Sequence, residues 1–291
     1  MPAPLEKHLT AAGKTSVIDL LDAHTDLSRQ QLKSAMMKGA VWLESGHGIA
    51  RVRRAKKRLQ AGDVLHLYYD ERVLQQQPPA ARLLSDEDDY SVWEKPAGMF
   101  SQGSKWGDHC TLYRWAETQL NRPAYIVHRL DRAASGLMLI AHNKHTTTAF
   151  LQRFQQHGIE KHYRAVVEGD ISRRDFPFTI DTPLDERPAH STLLQARHDA
   201  GHDNSEVIVS IASGRKHQIR RHLAGLGHPI VGDRLYGTTV DDSDLQLRAI
   251  MLKFLCPVDD QVKMWTLDSY APSTWKYTAT TWQALPPSTN T

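Results

Sequence analysis

The side chains able to do chemistry lie in four short runs. The first, His128-Arg129-Leu130-Asp131-Arg132, sets one carboxylate between two guanidiniums, ahead of a turn-like Ala133-Ala134-Ser135-Gly136 and an apolar run from Leu137 to Ala141. Flanking positive charge favours the ionised form of Asp131, and a turn at the mouth of a strand leaves it within reach of a substrate. By charge and place alone Asp131 is a positioned anion; a plain Arg129–Asp131 salt bridge at a strand entrance is the structural alternative. The second run, Glu94-Lys95-Pro96-Ala97-Gly98, is a Pro-Gly turn bearing a lysine. The third, Lys161-His162-Tyr163-Arg164-Ala165-Val166-Val167, puts a tyrosine in an apolar strand, where it fits a core or can stack on a ring. The fourth, Gly214-Arg215-Lys216-His217-Gln218-Ile219-Arg220-Arg221-His222, gathers cations and imidazoles ahead of Gly227-His228-Pro229 and Gly232-Asp233. His217 and His222 stand five apart, on different faces of a helix, which argues against a paired metal site.

These runs need a scaffold, and 291 residues suffice for two domains with a sizeable core. Composition is that of an ordinary soluble chain, with 40% hydrophobic and 24% charged residues. No apolar stretch approaches the roughly 18–20 residues of a membrane span, and the start lacks the apolar core of a secretion signal. Cys110 and Cys256 stand alone, so neither a disulfide framework nor a zinc knuckle is indicated. A cytoplasmic protein is expected. The net charge of +3 is uneven: residues 1–75 hold 12 Lys+Arg against 8 Asp+Glu, the remainder 24 against 25. Arg51, Arg53, Arg54, Lys56, Lys57 and Arg58 crowd into eight residues, as a solvated face or a phosphate-binding patch.

The stretch from Gln75 to Asp89, with two prolines, a glutamine run and an acidic run, reads as a linker over 76–89. It would separate a small basic domain (1–75) from a larger one (90–291). In the small domain a helix is expected at 17–21. A second should start at Ser28, capped by Gln31 three residues on and ended by Gly39. Strands follow at 41–43 and 64–69. In the larger domain, strands are expected at 90–94, 137–141, 163–168 and 206–211, and helices at 146–157 and 216–226. Strands and helices without a strict βαβ repeat predict an α+β fold around a mixed, mostly antiparallel sheet with flanking helices. Residues 238–291 are expected to complete the sheet and the rim of the cleft.

Taken together, the four runs resemble a known family. His-Arg-Leu-Asp followed by Ser-Gly-Leu is similar to the catalytic motif of RluA-type RNA pseudouridine synthases. Glu94-Lys95-Pro96-Ala97-Gly98 resembles the segment that opens the synthase domain. Lys161 to Gly169 resembles the family's tyrosine strand, and Gly214 to Gly237 its Gly-Arg-Thr-His-Gln-Ile-Arg segment with the trailing Gly-His-Pro-Ile-x-Gly-Asp. Lys216 and Ala134 depart from the usual threonines. Residues 15–70 resemble an S4-like RNA-binding domain of small α/β type, although Val41 to Gly46 departs from its usual Val-x-Val-Asn-Gly turn.

The resemblance implies a pseudouridine synthase fold and the isomerisation of uridine to pseudouridine in structured RNA, ribosomal or transfer. Asp131 would be the nucleophile, attacking C1′ of the ribose, assisting deprotonation at C2′, or adding to C6 of uracil. Arg220 would hold it as a bidentate salt-bridge partner, and Tyr163 would pack beside the base as a candidate for proton transfer. Arg129 would be a wedge in the gap left by the extruded nucleotide. His128, Lys95, Arg215, His217 and Gln218, with the six cations of the small domain, would contact RNA. No cofactor and no metal are expected, and RNA is the expected partner of a monomer. A non-catalytic RNA-binding or ribosome-assembly protein, resting on the S4-like part alone, and an Asp-dependent hydrolase are the other classes weighed.

Overall fold

The structure is a computed structural model that describes residues 3–238 and 243–267. The chain divides into two compact units, one of residues up to 79 together with 100–120, the other of 80–99 and 121 onward.

In the first unit the elements run β1 (Leu5–Thr10), β2 (Thr15–Ser16), α1 (Val17–Asp22), α2 (Arg29–Met37), β3 (Val41–Ser45), β4 (Gly48–Arg51), β5 (Arg58–Leu59), β6 (Val64–Tyr69) and α3 (Glu71–Leu74). The sheet order is β1-β6-β3-β4, with β2 and β5 as a separate pair. Ser28 caps α2 in the expected box, its hydroxyl accepting from the Gln31 amide while the Gln31 side chain accepts from the Ser28 amide. Gly39, at φ 80°, turns the chain out of that helix in a conformation that favours glycine. The apolar faces of α1 and α2 (Val17, Leu21, Leu32, Met36) meet Leu43, Leu65 and Leu67 of the sheet in one buried core.

The second unit carries β7 (Arg82–Asp86) and β8 (Tyr90–Lys95); α4 (Leu112–Leu120), between β8 and the next strand, belongs to the first unit. Then come β9 (Tyr125–Ile126), β10 (Ser135–Ala141), α5 (Lys144–Gln155), β11 (Ile159–Glu168), β12 (Phe178–Ile180), β13 (Ser191–Asp199), β14 (Asn204–Ile211), α6 (Gln218–Gly225), β15 (Leu247–Leu255) and β16 (Val262–Thr266). One sheet takes the order β12-β13-β14-β11-β15-β10-β8-β7, with β16 on β15 and β9 on β10. Every pairing in it is antiparallel except β10 with β15. This is the α+β, mostly antiparallel architecture expected. The continuous apolar run of β10, Gly136 to Ala141, is buried throughout, as a central strand covered on both faces requires. Phe150 of α5 seals one face against Tyr90, Phe254 and the neighbouring Trp265; truncating such a ring costs about 3–5 kcal/mol.

Two expectations need correcting. The segment expected as a linker contains β7, an edge strand whose Arg82 pairs with Glu94 on β8. Residues 100–120, assigned by sequence to the larger domain, fold with the first unit. Asp108, 1% exposed, receives Arg51 at 3.4 Å and Arg53 at 2.5 Å, and the Tyr113 hydroxyl donates to it. Trp106 stacks edge-on against Tyr68, and Trp42 donates to the Lys105 carbonyl at 3.1 Å. Strands β15 and β16 extend the sheet as expected of the C-terminal part; 239–242 and 268–291 lie outside the described residues. No helix among the described residues is long and apolar enough to cross a membrane.

Candidate active site

One row across the sheet positions the site. Lys95 of β8 pairs with Gly136 of β10, Gly136 with Ala249 of β15, and Ala249 with Tyr163 of β11. Adjacent strands lie about 4.8 Å apart, so the row sets Tyr163 roughly 10 Å from the start of β10, where the Asp131 turn enters. A register shift beside Tyr163 breaks the β11–β15 ladder, the kind of irregularity that re-aims side chains at sites. Gly136, at φ 115°, is required here, because a Cβ would run into the Ala249 backbone. The close parallel approach of β15, and hence the entry angle of the Asp131 turn, depends on that missing atom.

Lys95 locks the turn from beneath. Fully buried, its ammonium donates to the carbonyls of Ala134 at 2.6 Å, Met99 at 2.9 Å and Pro96 at 3.0 Å. The Gly98 amide adds a bond to the Arg132 carbonyl at 2.8 Å. Burial pushes the Lys95 amine down to about 7, with the Asp131 charge acting against the fall. Sequence reasoning assigned Lys95 to RNA contact. That is corrected: no part of it is exposed, and it is a positioning residue for the Asp131 turn.

Asp131 itself is 29% exposed and accepts from Arg220 Nη1 at 3.4 Å. The expected pairing is thus present, but the bidentate geometry belongs elsewhere. Arg220 gives Nε and Nη2 to Asp233 at 2.7 and 2.6 Å, while Asp233 also accepts the amides of Leu235 and Tyr236. Burial alone would raise the Asp233 carboxyl; the Arg220 guanidinium and the two amides outweigh it and hold it below the usual carboxylate range. Asp233 fixes Arg220, and Arg220 presents one remaining N–H edge to Asp131. His217 stands on the other side, Nε2 at 3.9 Å from Asp131, its Nδ1 sharing a hydrogen bond with the Tyr236 hydroxyl at 3.0 Å. Burial lowers its pKa, opposed by Asp131, so a neutral imidazole faces the carboxylate. Its backbone is left-handed, φ 53°, at the N-cap of α6, and such strain clusters at functional sites.

A cleft enclosing about 470 Å³, partly open to solvent, lies over this group. Leu130, Ala134, Tyr163, Ile211, Ile219 and Leu247 form its apolar walls, with Asp131, Arg129, Arg215, His217 and Arg220 as polar groups. Burial raises the Tyr163 hydroxyl well above the usual tyrosine range, with Asp131 adding to it, so the phenol stays protonated. Arg129 is exposed at the cleft and makes no ion pair among the described residues. Arg215 lines the cleft and donates to the Pro188 carbonyl at 3.0 Å.

Two further assignments are corrected. The His128 ring stacks on Phe154 and accepts the Leu139 amide at 2.9 Å, and its enclosure lowers its pKa to about 3. It is a neutral structural group. Gln218 is buried with its amide committed: it accepts from Ser213 and the Arg215 amide and donates to His190 and Ser191, which fastens the loop before α6. Of the basic run, Arg51 and Arg53 are spent on Asp108, whereas Arg54, Lys56, Lys57 and Arg58 are exposed. Asp233 and Tyr236 fall inside the segment that carries the family resemblance, but the sequence gives them no role. A signal was there: Asp233 is the only carboxylate between Glu206 and Asp241, amid five cations.

Comparison with known proteins points to one family. Residues 89–225 match the family model described as RNA pseudouridylate synthase. The dual-specificity RNA pseudouridine synthase RluA of Vibrio parahaemolyticus is 31% identical over 208 residues, covering 64% of this chain and 83% of that protein. The chain belongs to the RluA-type RNA pseudouridine synthases. The ribosomal large subunit pseudouridine synthase D of Vibrio cholerae is 27% identical over 283 residues, covering 85% of this chain and 84% of its own length. Among solved structures, human RNA Pseudouridylate Synthase Domain Containing 1 superposes with a TM-score of 0.56 at 24% identity, over 68% of this chain and 89% of that one, and supports the fold. The synthase is therefore an isomerase acting on RNA.

Proposed function

We propose that Asp131 is the nucleophile of this synthase and that its substrate is a uridine extruded from structured RNA, ribosomal RNA in the first place. The observation carrying this is the half-buried Asp131 carboxylate, held by Arg220 beside a cleft with Tyr163 in its wall. In the reaction the N1–C1′ bond breaks, uracil turns, and a C5–C1′ bond forms. C5 then gives up its proton and N1 is protonated, so the product is an isomer and nothing is consumed. A single carboxylate can drive this by covalent catalysis, while the apolar walls keep the detached uracil from escaping.

The role of each neighbour follows from its chemistry. Tyr163, protonated, offers a ring for stacking and a hydroxyl for proton transfer. Arg129 sits where it can fill the stack left by the extruded base, a step costing a few kcal/mol. Arg54, Lys56, Lys57 and Arg58 supply phosphate contacts in the S4-like unit, which makes binding salt-sensitive. Ribosomal RNA is favoured because the relative named for the large ribosomal subunit matches over 85% of the chain, too long to lie in the second unit alone.

Pseudouridine mapping of total RNA with and without the gene tests the substrate. Tritium release from transcripts carrying C5-tritiated uridine tests the chemistry. Asp131→Asn should abolish release at unchanged RNA binding. Release at the wild-type rate would reject Asp131 as nucleophile.

A further inference from the structure

A second cavity, partly open and of about 700 Å³ with its solvent mouth included, meets the first at Asp131, His217 and Arg220 and shares no other residue with it. Beside the apolar Ala133, Leu235 and Leu245, its lining carries Arg132, Arg234 and Asp244, charged groups that the first cavity lacks. Arg234 is exposed and makes no ion pair or hydrogen bond among the described residues. Leu235, 67% exposed, is the most exposed large apolar side chain among them. An apolar side chain this open is ordinarily tolerated on a loose loop, but the backbone under this one is tethered. The amide of Leu235 is bound by Asp233, the same carboxylate that clamps Arg220. Gly232 lies against the Asp244 backbone and could not accept a Cβ, so the start of the turn is packed closely as well.

We infer that this second cavity takes the nucleotide adjoining the target uridine, its phosphodiester against Arg234 and its base or sugar against Leu235. The inference rests on the synthase assignment and adds a subsite to it. An extruded nucleotide enters the first cavity by its base, yet its backbone continues on both sides, and the chain must leave past Asp131. A guanidinium suits a phosphodiester, and an open apolar side chain on a tethered backbone suits an unstacked neighbouring base, as in proteins that wedge leucines between base steps. Arg132 lies on the same wall, its Nε on the Gly98 carbonyl at 3.1 Å. Asp244 at the rim is the carboxylate that RNA would have to avoid.

Arg234→Gln and Leu235→Ser, both exposed positions, are compared with the wild type on in vitro transcripts of ribosomal RNA. Filter binding is measured across a salt series, and tritium release from C5-labelled uridine is measured at limiting and saturating RNA. For Arg234→Gln the expected result is binding weakened about tenfold, a salt slope shallower by roughly 0.7–0.9, and unchanged turnover at saturation. For Leu235→Ser the expected result is about a tenfold loss in kcat/KM with the salt slope unchanged. An active wild type with Arg234→Gln matching it in affinity and slope overturns the phosphate subsite; Leu235→Ser matching it in kcat/KM overturns the wedge. A wild type that releases no tritium from these transcripts refutes ribosomal RNA as the substrate of the proposed function, which separates the two failures.

Discussion

Replacing Asp233 by asparagine separates what holds the site together from what does its chemistry. One carboxylate oxygen accepts Arg220 Nη2 at 2.6 Å with the amides of Leu235 at 3.0 Å and Tyr236 at 3.2 Å; the other accepts Arg220 Nε at 2.7 Å. An asparagine that keeps its oxygen toward the two amides turns its NH2 against the Arg220 Nε–H, donor against donor. Arg220, 7% exposed, is left with Asp131 at 3.4 Å as its sole anionic contact. Breaking a buried pair by removing one partner costs about 3–5 kcal/mol. At roughly 2–4 °C per kcal/mol, the melting temperature should fall by about 6–20 °C. Displacing the Arg220 edge by about 1 Å should also lower kcat about 10²-fold. Asp131→Asn offers the contrast: at 29% exposure with one long contact, it should abolish tritium release with the melting temperature little changed. Thermal unfolding and tritium release on both variants decide the matter. Asp233→Asn with wild-type stability and turnover would show that the Arg220–Asp233 pair does not hold the site.

Lys95→Met tests the buried amine through pH. Its folded pKa of about 7 lies below the ordinary lysine value of about 10.4. Between these the unfolded chain binds a proton that the folded chain lacks, so stability should rise with pH from about 7 to 10, by at most ~1.4 kcal/mol per unit. Below pH 7 both states are protonated and the slope vanishes. Urea midpoints at successive pH values should show this slope in the wild type and lose it in Lys95→Met; parallel curves would contradict it. Tyr163→Phe keeps the ring and removes the hydroxyl, so kcat should drop about 10²-fold at constant KM, and full turnover would take the hydroxyl out of proton transfer. In the first unit, Arg53→Met should lower the urea midpoint, because Asp108 loses a partner at 2.5 Å. The pair Lys56→Glu with Lys57→Glu should instead weaken RNA binding and change its salt slope; the reverse pattern would contradict the division between paired and free cations.

The elements around the site could be read from the chain because each rests on a local signal. The Ser28–Gln31 box starts α2, the apolar run makes β10, and β6 occupies the alternating 64–69. What escaped depends on contacts far apart in sequence. β7 has no alternation of its own and is a strand because Arg82 and Leu83 lie against Glu94 and Trp93. β13 pairs along β14 through a bulge that spoils its periodicity. At the site, residue types pointed to Asp131, Arg220 and Tyr163, which the fold brings to one cleft. They could not tell an arginine facing substrate from one clamped by Asp233, nor a lysine on the surface from one that gathers carbonyls beneath a turn. Lys95 and His128 look like contacts in sequence and are scaffolding in three dimensions.

The clasp on Asp108 bears on how such a protein can be divided. Two arginines near residue 50 depend on a carboxylate contributed some fifty-five positions later, after the chain has already built two strands of the other sheet. A gene cut anywhere between 80 and 99 would give an amino-terminal fragment with orphaned guanidiniums and a carboxy-terminal fragment with an anion stripped of its cations. The two halves interleave along the chain, so neither can be lost, swapped or borrowed as an intact cassette.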